Sequence, residues 1–221
     1  MPTFTHEEAK EYDSRITRLV PGYELLHSTT AAQLKATLPD NAHILVVGSG
    51  TGKDIAALAA LNPSWHFTAQ DISTDMLNIG QKRFADLGIS DRVTIHVGDI
   101  EQLADTFDAA LCLLVLHFVS DNGDKKSLLR AVVKQLKPSA QLYLADLMRP
   151  ETGFERDAQF ILCQQLGLTD IGVERMKHNF EHEFYPLDRL RLSELLDNAG
   201  YSTPKLYFKA MSFSGYVIQK R

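Results

Sequence analysis

Three glycines at alternate positions follow a short apolar run near residue 45. The run is His43–Val47, and Gly48, Gly50 and Gly52 come directly after it, before a segment with apolar residues at helical spacing. Glycine has no Cβ and tolerates positive φ, so a ligand can approach the backbone of such a loop closely. This pattern predicts that the loop holds a ligand. The alternative is a tight turn that binds nothing.

The spacing of these glycines distinguishes two kinds of phosphate-binding loop. A P-loop requires Gly-Lys followed by Ser or Thr, whose hydroxyl binds magnesium, whereas Gly52-Lys53 is followed by Asp54. A dinucleotide-binding loop has the pattern G-x-G-x-x-G, and Lys53 stands where its third glycine would fall. The P-loop interpretation therefore fails, and the dinucleotide interpretation is weakened.

Aspartates stand at the ends of two further predicted strands. Asp71 precedes Ile72 after the second strand, and Asp99 precedes Ile100 after the third. One carboxylate can accept both hydrogen bonds of a ribose diol, and the other can accept the amino group of adenine while an isoleucine packs on the ring. Taken singly, each aspartate could equally be a solvated loop residue or a helix cap. Together with the glycine loop they would meet in one crevice, which predicts a site for an adenosine-containing ligand.

His117 is the candidate general base, because it follows the fourth predicted strand and histidine titrates near neutrality. A histidine that only packs and caps the turn is the favoured alternative. Tyr12, His27 and His182 are weaker candidates, for which a packing or surface role is favoured. His178 and His182 have the i, i+4 spacing of metal ligands on a helix, but a solvated helix face is favoured and no metal site is predicted.

Short apolar runs alternate with helical segments around these residues, which indicates an α/β fold with a parallel sheet. The predicted core strands are His43–Val47, Trp65–Gln70, Arg92–Val97, Phe107–Leu113 and Gln141–Ala145. The predicted helices between them are Lys53–Leu61, Thr74–Leu87 and Lys125–Leu136. Ser73 or Thr74 is expected to cap the second of these helices at its start, and Gly88 at its end.

Further elements are predicted on both sides of this core. Two amphipathic helices, His6–Val20 and Tyr23–Leu38, are separated by Pro21-Gly22 and should cover one end of the sheet. A helix over Leu187–Asn198 is followed by two β segments that could pair as a hairpin, Lys205–Phe208 and Gly215–Gln219.

Composition limits the function further. A chain of 221 residues with 44% apolar residues suits one domain with its own core. With 23 basic and 28 acidic residues the net charge is −5, and no basic run indicates nucleic acid as a partner. Cys112 and Cys163 are interpreted as structural thiols of a reducing compartment. The sequence leaves a homodimer open.

The location of the protein is predicted from two segments. The start over residues 1–10 is polar and acidic and lacks a secretory pattern. The longest apolar run, Ala109–Val119, is too short to cross a bilayer. A cytoplasmic protein without a membrane partner is therefore expected.

Five motifs of the core carry a family resemblance: V-V-G-S-G-T-G, Q-D-I-S-T-D-M-L, V-G-D-I, F-D-A-A-L-C-L-L-V-L-H-F-V and L-K-P-S-A-Q-L-Y-L-A-D. Together they resemble the core of class I S-adenosylmethionine-dependent methyltransferases, and L-S-E-L-L-D-N-A-G-Y resembles the last helix and turn of that fold. The sequence departs from the family pattern at Val46, where an acidic residue is usual, and at Ser139-Ala140, where two glycines are usual.

This resemblance implies an architecture and a set of cofactor contacts. It implies a Rossmann-like, doubly wound sheet of about seven strands that ends in an antiparallel hairpin. The expected single domain, 1–221, comprises a helical cap over 1–42, a cofactor-binding core over 43–146, and substrate-side helices with the hairpin over 147–221. The implied contacts with S-adenosylmethionine are Gly48, Gly50, Asp71, Ile72, Asp99, Ile100 and, through its backbone, Leu113.

The stretch I-T-R-L-V-P-G-Y, residues 16–23, is similar to the lead-in of carboxy-S-adenosylmethionine synthases. In that subgroup the tyrosine at the position of Tyr23 closes over the reactive end of the cofactor, and a later arginine meets a carboxylate. Tyr23 is thus a further candidate cofactor contact, with a core aromatic as the alternative. Arg175 or Lys177 lies in the region of the arginine, without a residue-level match.

The resemblance implies an enzyme that transfers a methyl group in line from S-adenosylmethionine to a small-molecule acceptor. Alignment and desolvation supply most of the acceleration in such a transfer, so a base is optional. Two alternatives stay open: an enzyme like the carboxy-S-adenosylmethionine synthases, and a non-catalytic adenosyl-ligand-binding protein. A nicotinamide oxidoreductase is less well supported. Residues 147–190 contain no motif that identifies the acceptor.

Overall fold

The computed structural model describes residues 6–221, so the first five residues of the polar start lie outside the described residues. Seven strands form its centre: β1 His43–Val47, β2 His66–Asp71, β3 Val93–Val97, β4 Phe107–Leu113, β5 Leu136–Leu147, β6 Lys205–Ala210 and β7 Phe213–Gln219. They form one sheet in the order β3-β2-β1-β4-β5-β7-β6. The pairs among β1 to β5 are parallel, and β7 is antiparallel to both of its neighbours. The predicted doubly wound sheet of seven strands with a terminal hairpin is confirmed.

Eight α-helices cover the sheet in the described part of the chain: α1 His6–Leu19, α2 Tyr23–Thr37, α3 Lys53–Leu61, α4 Thr74–Asp86, α5 Asp124–Gln135, α6 Glu155–Gln165, α7 Asp170–His182 and α8 Arg189–Ala199. Short 3-10 turns follow β3 at Ile100–Gln102 and β4 at Leu116–Phe118. The Ser73 hydroxyl accepts a hydrogen bond from the Met76 N–H, which confirms the predicted cap of α4.

Two segments differ from the sequence prediction. The predicted helix Lys125–Leu136 ends one residue earlier, because Leu136 pairs with Phe107 and begins a strand of 12 residues. That strand extends well beyond the predicted Gln141–Ala145. Helices α6 and α7 were not predicted, although Thr169 caps α7 by accepting a hydrogen bond from the Gly172 N–H.

Alternating side chains of the parallel strands pack on opposite sides of the sheet. In β1, Ile44 and Val46 face a core completed by helices α2, α3 and α4, whereas Leu45 and Val47 face a core completed by α5 and α8. Successive side chains of a strand point to opposite faces of the sheet. Because both faces are buried here, all four of these β1 residues are apolar. Buried, free Cys112 belongs to the second core.

Helices α1, α6 and α7 pack together above the carboxyl ends of the strands. Phe160 and Cys163 of α6 contact Val173 and Met176 of α7, and Leu19 of α1 packs against them. Cys163 is also buried and free, in agreement with the structural interpretation of both thiols. Among the described residues no helix is long and apolar enough to cross a membrane.

Candidate active site

The glycine loop joins β1 to α3 at the carboxyl edge of the sheet. Gly48 and Gly52 have φ of 63° and 73°, in the left-handed region that favours glycine. A Cβ on Gly48 would lie 2.5 Å from Cγ2 of Val115, and one on Gly52 would clash with the ring of Phe84. Neighbouring side chains therefore require these glycines, independently of any ligand.

Asp71 ends β2 and holds the glycine loop through its carboxylate. Its Oδ2 accepts a hydrogen bond of 2.8 Å from the Gly50 N–H, and its Oδ1 accepts one of 2.9 Å from the Ser73 N–H. Burial raises the pKa of this carboxyl above its ordinary value, against the effect of the backbone hydrogen bonds. A carboxylate has about four acceptor positions, so after these backbone bonds Asp71 can still accept a hydroxyl group.

A cavity of about 520 Å³ lies beside this carboxylate, which is a usual size for a small-ligand pocket. Gly48, Asp71, Ile72 and Asp99 are among the residues that line it, and they come from the ends of three successive strands. Ile100 is buried, with 3% of its surface exposed, and does not line the cavity. The structure thus brings together the two predicted carboxylates and one of the two isoleucines.

Gly50, Leu113 and Tyr23 do not line this cavity in the described part of the chain. Gly50 acts through its bond to Asp71, and Leu113 is buried at the end of β4. The ring of Tyr23 is buried 4.2 Å from that of His27, with Nζ of Lys53 4.8 Å from its centroid. These are the contacts of a packed aromatic residue, and its predicted contact with a cofactor stays a prediction.

A larger cavity of about 900 Å³ lies between α1, α7 and the ends of β4 and β5. Phe118 lines both this cavity and the smaller one, so the two spaces adjoin this residue. Leu114 also lines the larger cavity and has a φ of 62°, a left-handed conformation that is uncommon for leucine. Backbone strain of this kind concentrates at functional sites.

His117 lines the larger cavity and forms a buried pair with Asp146, the penultimate residue of β5. Its Nδ1 is hydrogen-bonded to Oδ1 of Asp146, and the two residues are 6% and 3% exposed. The His117 carbonyl accepts the Tyr185 N–H at 2.7 Å, and the preceding carbonyl accepts Nζ of buried Lys125 at 2.5 Å. Burial lowers the pKa of Lys125. Asp146 was missed, although its position near a strand end is the signal that identified Asp71 and Asp99.

The remaining polar candidates from the sequence are separated by the fold. Tyr12 lines the larger cavity, and burial raises the pKa of its phenol. His27 belongs to α2, and its Nδ1 contacts Asp54 of α3. Its Nε2 is buried without a hydrogen-bond partner in the described residues. His182 is exposed, with Nε2 3.7 Å from a carboxylate oxygen of Glu181.

Helix α7 carries the residues discussed as metal or carboxylate ligands. The rings of His178 and His182 lie 4.6 Å apart. Within residues 6–221 no group of three or more His, Cys, Asp and Glu side chains could hold a metal ion. Arg175 lines the larger cavity, whereas Lys177 forms an exposed ion pair of 2.8 Å with Glu174.

Comparison with known proteins relates part of this chain to methyltransferase sequences. Residues 45–142 match a family described as methyltransferase domain. A ubiquinone/menaquinone biosynthesis C-methyltransferase of Pseudomonas savastanoi is 27% identical over 146 residues, which are 66% of this chain and 57% of that protein. Aclacinomycin 10-hydroxylase of Streptomyces purpurascens is 36% identical over 105 residues, 47% of this chain and 28% of that protein. The chain thus spans less than two thirds of these relatives.

Solved structures share the fold at low sequence identity. A putative S-adenosylmethionine-dependent methyltransferase of Methanococcus maripaludis has a TM-score of 0.68 at 19% identity, covering 100% of this chain and 95% of that one. Magnesium protoporphyrin IX methyltransferase of Synechocystis, solved with bound S-adenosylhomocysteine, has a TM-score of 0.67 at 17% identity, covering 92% and 86%. The similarity extends beyond the core to the hairpin and the helices.

Proposed function

Because residues 45–142 match a methyltransferase domain and the sequence resembles class I S-adenosylmethionine-dependent methyltransferases, we propose that this chain transfers a methyl group from S-adenosylmethionine to a small-molecule acceptor. In this proposal the smaller cavity holds the adenosyl part of the cofactor and the larger one holds the acceptor. Residues 43–146 supply the cofactor side, and residues from the 1–42 and 147–221 regions supply most of the acceptor side.

The residues of the smaller cavity fit an adenosyl group. Asp71 retains acceptor capacity for a ribose hydroxyl, because backbone N–H groups occupy only part of its roughly four acceptor positions. Asp99 is exposed at the next strand end and can accept the adenine amino group, and Ile72 offers 38% of its surface for an apolar contact with the ring. Gly48 lets the ligand approach the loop backbone.

The observation that carries the proposal is the buried pair of His117 and Asp146 in the wall of the larger cavity, with the His117 ring 4.0 Å from that of Phe118, a residue that lines both cavities. A carboxylate bound to Nδ1 fixes the hydrogen on that nitrogen and leaves Nε2 free to accept a proton. A protein that only binds an adenosyl ligand has no need for such a pair.

The bound cofactor supplies a methyl group that its sulfonium activates for displacement. His117 accepts the proton of the acceptor nucleophile at Nε2, and Asp146 stabilises the imidazolium that results. The rings of Phe118 and Phe184 give this wall an apolar surface beside His117. Alignment of nucleophile and methyl carbon against it supplies much of the acceleration.

The relatives support a small-molecule acceptor without identifying it. One is named for C-methylation in quinone biosynthesis, and another for hydroxylation of aclacinomycin. Since one of these related proteins is named a hydroxylase, the shared domain alone does not fix the reaction. Turnover must be measured directly.

Titration of S-adenosylhomocysteine into the purified protein by calorimetry tests the cofactor assignment. We expect the wild type to bind and Asp71→Ala to bind about 10- to 100-fold more weakly, the loss typical of hydrogen bonds to a charged group. Asp91→Ala removes an exposed aspartate outside the cavity and should bind as the wild type does. An unchanged affinity of Asp71→Ala, or no binding by the wild type, would overturn the assignment.

A further inference from the structure

Two arginines of α1, Arg15 and Arg18, line the larger cavity. They stand three residues apart and therefore lie on the same face of the helix. The Nε of Arg15 is buried and has no hydrogen-bond partner among the described residues. Arg18 donates from Nε to the carbonyl of Ser14 at 3.2 Å. In the described chain neither guanidinium forms an ion pair with a carboxylate.

A buried guanidinium nitrogen without a partner has lost its hydration without compensation. The planar fork of an arginine matches the two oxygens of a carboxylate, so an oxyanion in the cavity would restore the missing contacts. The cavity also contains Arg175, Glu11 and Glu183. Arg175 and both glutamates are exposed, whereas Arg15 and Arg18 are part-buried, so the charge carried by the part-buried side of this wall on α1 is positive.

Aromatic rings, in contrast to the charged side chains of α1, adjoin one another along α7, just beyond its end and in the turn after β4. The rings of Phe118 and Phe184 lie 5.2 Å apart in an edge-to-face arrangement, and Phe180 lies 5.7 Å from Phe184. The imidazole of His117 lies 4.9 Å from Phe184, also edge to face. Such a wall favours a planar aromatic ligand, which can add further offset or edge-to-face contacts.

We propose that the acceptor is an aromatic compound that carries a carboxylate or equivalent oxyanion, bound by Arg15 and Arg18, with its ring against Phe184 and its nucleophile near His117. This inference rests on the proposed function. The cofactor also carries a carboxylate, on its methionine part, and that group has the same chemistry. The arginines line the cavity that contains His117 and the phenylalanines, whereas Asp71 and Gly48 line the other, which assigns the anion site to the acceptor.

The test is a calorimetric titration of matched pairs of aromatic probes into protein saturated with S-adenosylhomocysteine. The pairs are salicylate with salicylamide and hydroxynaphthoate with hydroxynaphthamide, which differ only in the anionic group. We expect each carboxylate to bind about tenfold or more tightly than its amide, as a charge-assisted hydrogen bond predicts. Arg15→Gln should remove this preference. Arg130→Gln, which removes an exposed arginine on α5 outside the cavity, should retain it.

A parallel titration distinguishes the two sources of a carboxylate. S-adenosylhomocysteine carries the amino-acid part of the cofactor, and methylthioadenosine lacks it. If Arg15→Gln weakens binding of the first compound and not of the second, the site belongs to the cofactor and the proposal is wrong. If the wild type binds S-adenosylhomocysteine but binds no carboxylate better than its amide, the acceptor class is wrong while the proposed function stands. Failure to bind S-adenosylhomocysteine would refute the proposed function itself.

Discussion

At the scale of single residues, the Asp71 carboxylate has a structural task and, in the proposed function, a ligand-binding one. It fixes the glycine loop through Gly50 and the start of α4 through Ser73, and it retains acceptor capacity toward the smaller cavity. Burial without a cationic partner raises its pKa, because the charged form is less well solvated. The ionised form that a ribose diol requires is therefore lost at a higher pH than for an ordinary aspartate.

This shift predicts how the affinity for adenosyl ligands depends on pH. Binding of methylthioadenosine, which has no carboxylate or amino-acid group of its own, should be constant near neutral pH and weaken as the pH falls through the raised pKa of Asp71. Calorimetry at a series of pH values measures this. Asp71→Asn should bind more weakly and lose the acidic decline, since the amide does not titrate. A wild-type affinity that is independent of pH would contradict the role of Asp71.

The pair of His117 and Asp146 leads to a second prediction at this scale. An amide at position 146 can donate to Nδ1, which would place the imidazole hydrogen on Nε2 and remove the base. Asp146→Asn should therefore lower kcat by about a hundred- to ten-thousand-fold, the range of general acid–base catalysis, with little change in cofactor affinity. Heteronuclear NMR of the imidazole nitrogens should show that the hydrogen lies on Nδ1 in the wild type and on Nε2 in the variant. Retention of the wild-type tautomer together with full activity would contradict this role.

At the scale of elements, one cluster of hydrogen bonds connects α1 to the glycine loop and to α4. Oδ1 of Asp13 accepts the Thr51 hydroxyl at 2.7 Å, and Oδ2 accepts Nη2 of Arg83 at 2.5 Å. Arg83 also donates to the Thr51 carbonyl at 2.6 Å. Because α1 contributes to the wall of the larger cavity, this cluster couples the position of that wall to the glycine loop.

Asp13→Asn should loosen this connection. We expect it to reduce the free energy of unfolding by about 1 kcal/mol, a modest value because both side chains are partly exposed, and to increase hydrogen exchange in α1. Glu174→Gln removes an exposed ion pair on α7 by the same chemical change and should alter stability by no more than about 0.5 kcal/mol. Equal effects of the two substitutions in denaturant unfolding and hydrogen exchange would show that Asp13 has no special role.

At the scale of the whole molecule, the position of the site follows from the order of the strands. The chain passes from β1 outward to β2 and β3, and then returns to the other side of β1 with β4. The crevice at this change of direction lies outside the carboxyl ends of β1 and β4, where open α/β sheets bind ligands. Helices α1 and α7 close the adjoining space from above and convert a crevice into a larger cavity.

Much of the fold was determined by local signals in the sequence. Apolar runs of strand length, the glycine loop and the capping Ser73 define β1 to β4 and α3 to α5 within a few residues, whereas β5 is much longer than the predicted Gln141–Ala145. The same signals predicted the carboxylates of the smaller cavity, Asp71 and Asp99, because a residue that follows a buried parallel strand must lie at its carboxyl edge. The number of strands came from the family resemblance and the terminal hairpin from both the resemblance and the last two β segments, and both were confirmed, whereas the strand order was not predicted.

The larger cavity and its wall were decided by the tertiary structure alone. Asp146 meets His117 across 29 residues, and Thr51 meets Asp13 across 38, and no sequence period encodes such pairs. Helices α6 and α7 lacked a recognised motif, and the cavity wall of arginines and phenylalanines exists only once α1 packs beside α7. Local sequence determines the element to which a side chain belongs, whereas packing between distant elements determines what that side chain faces.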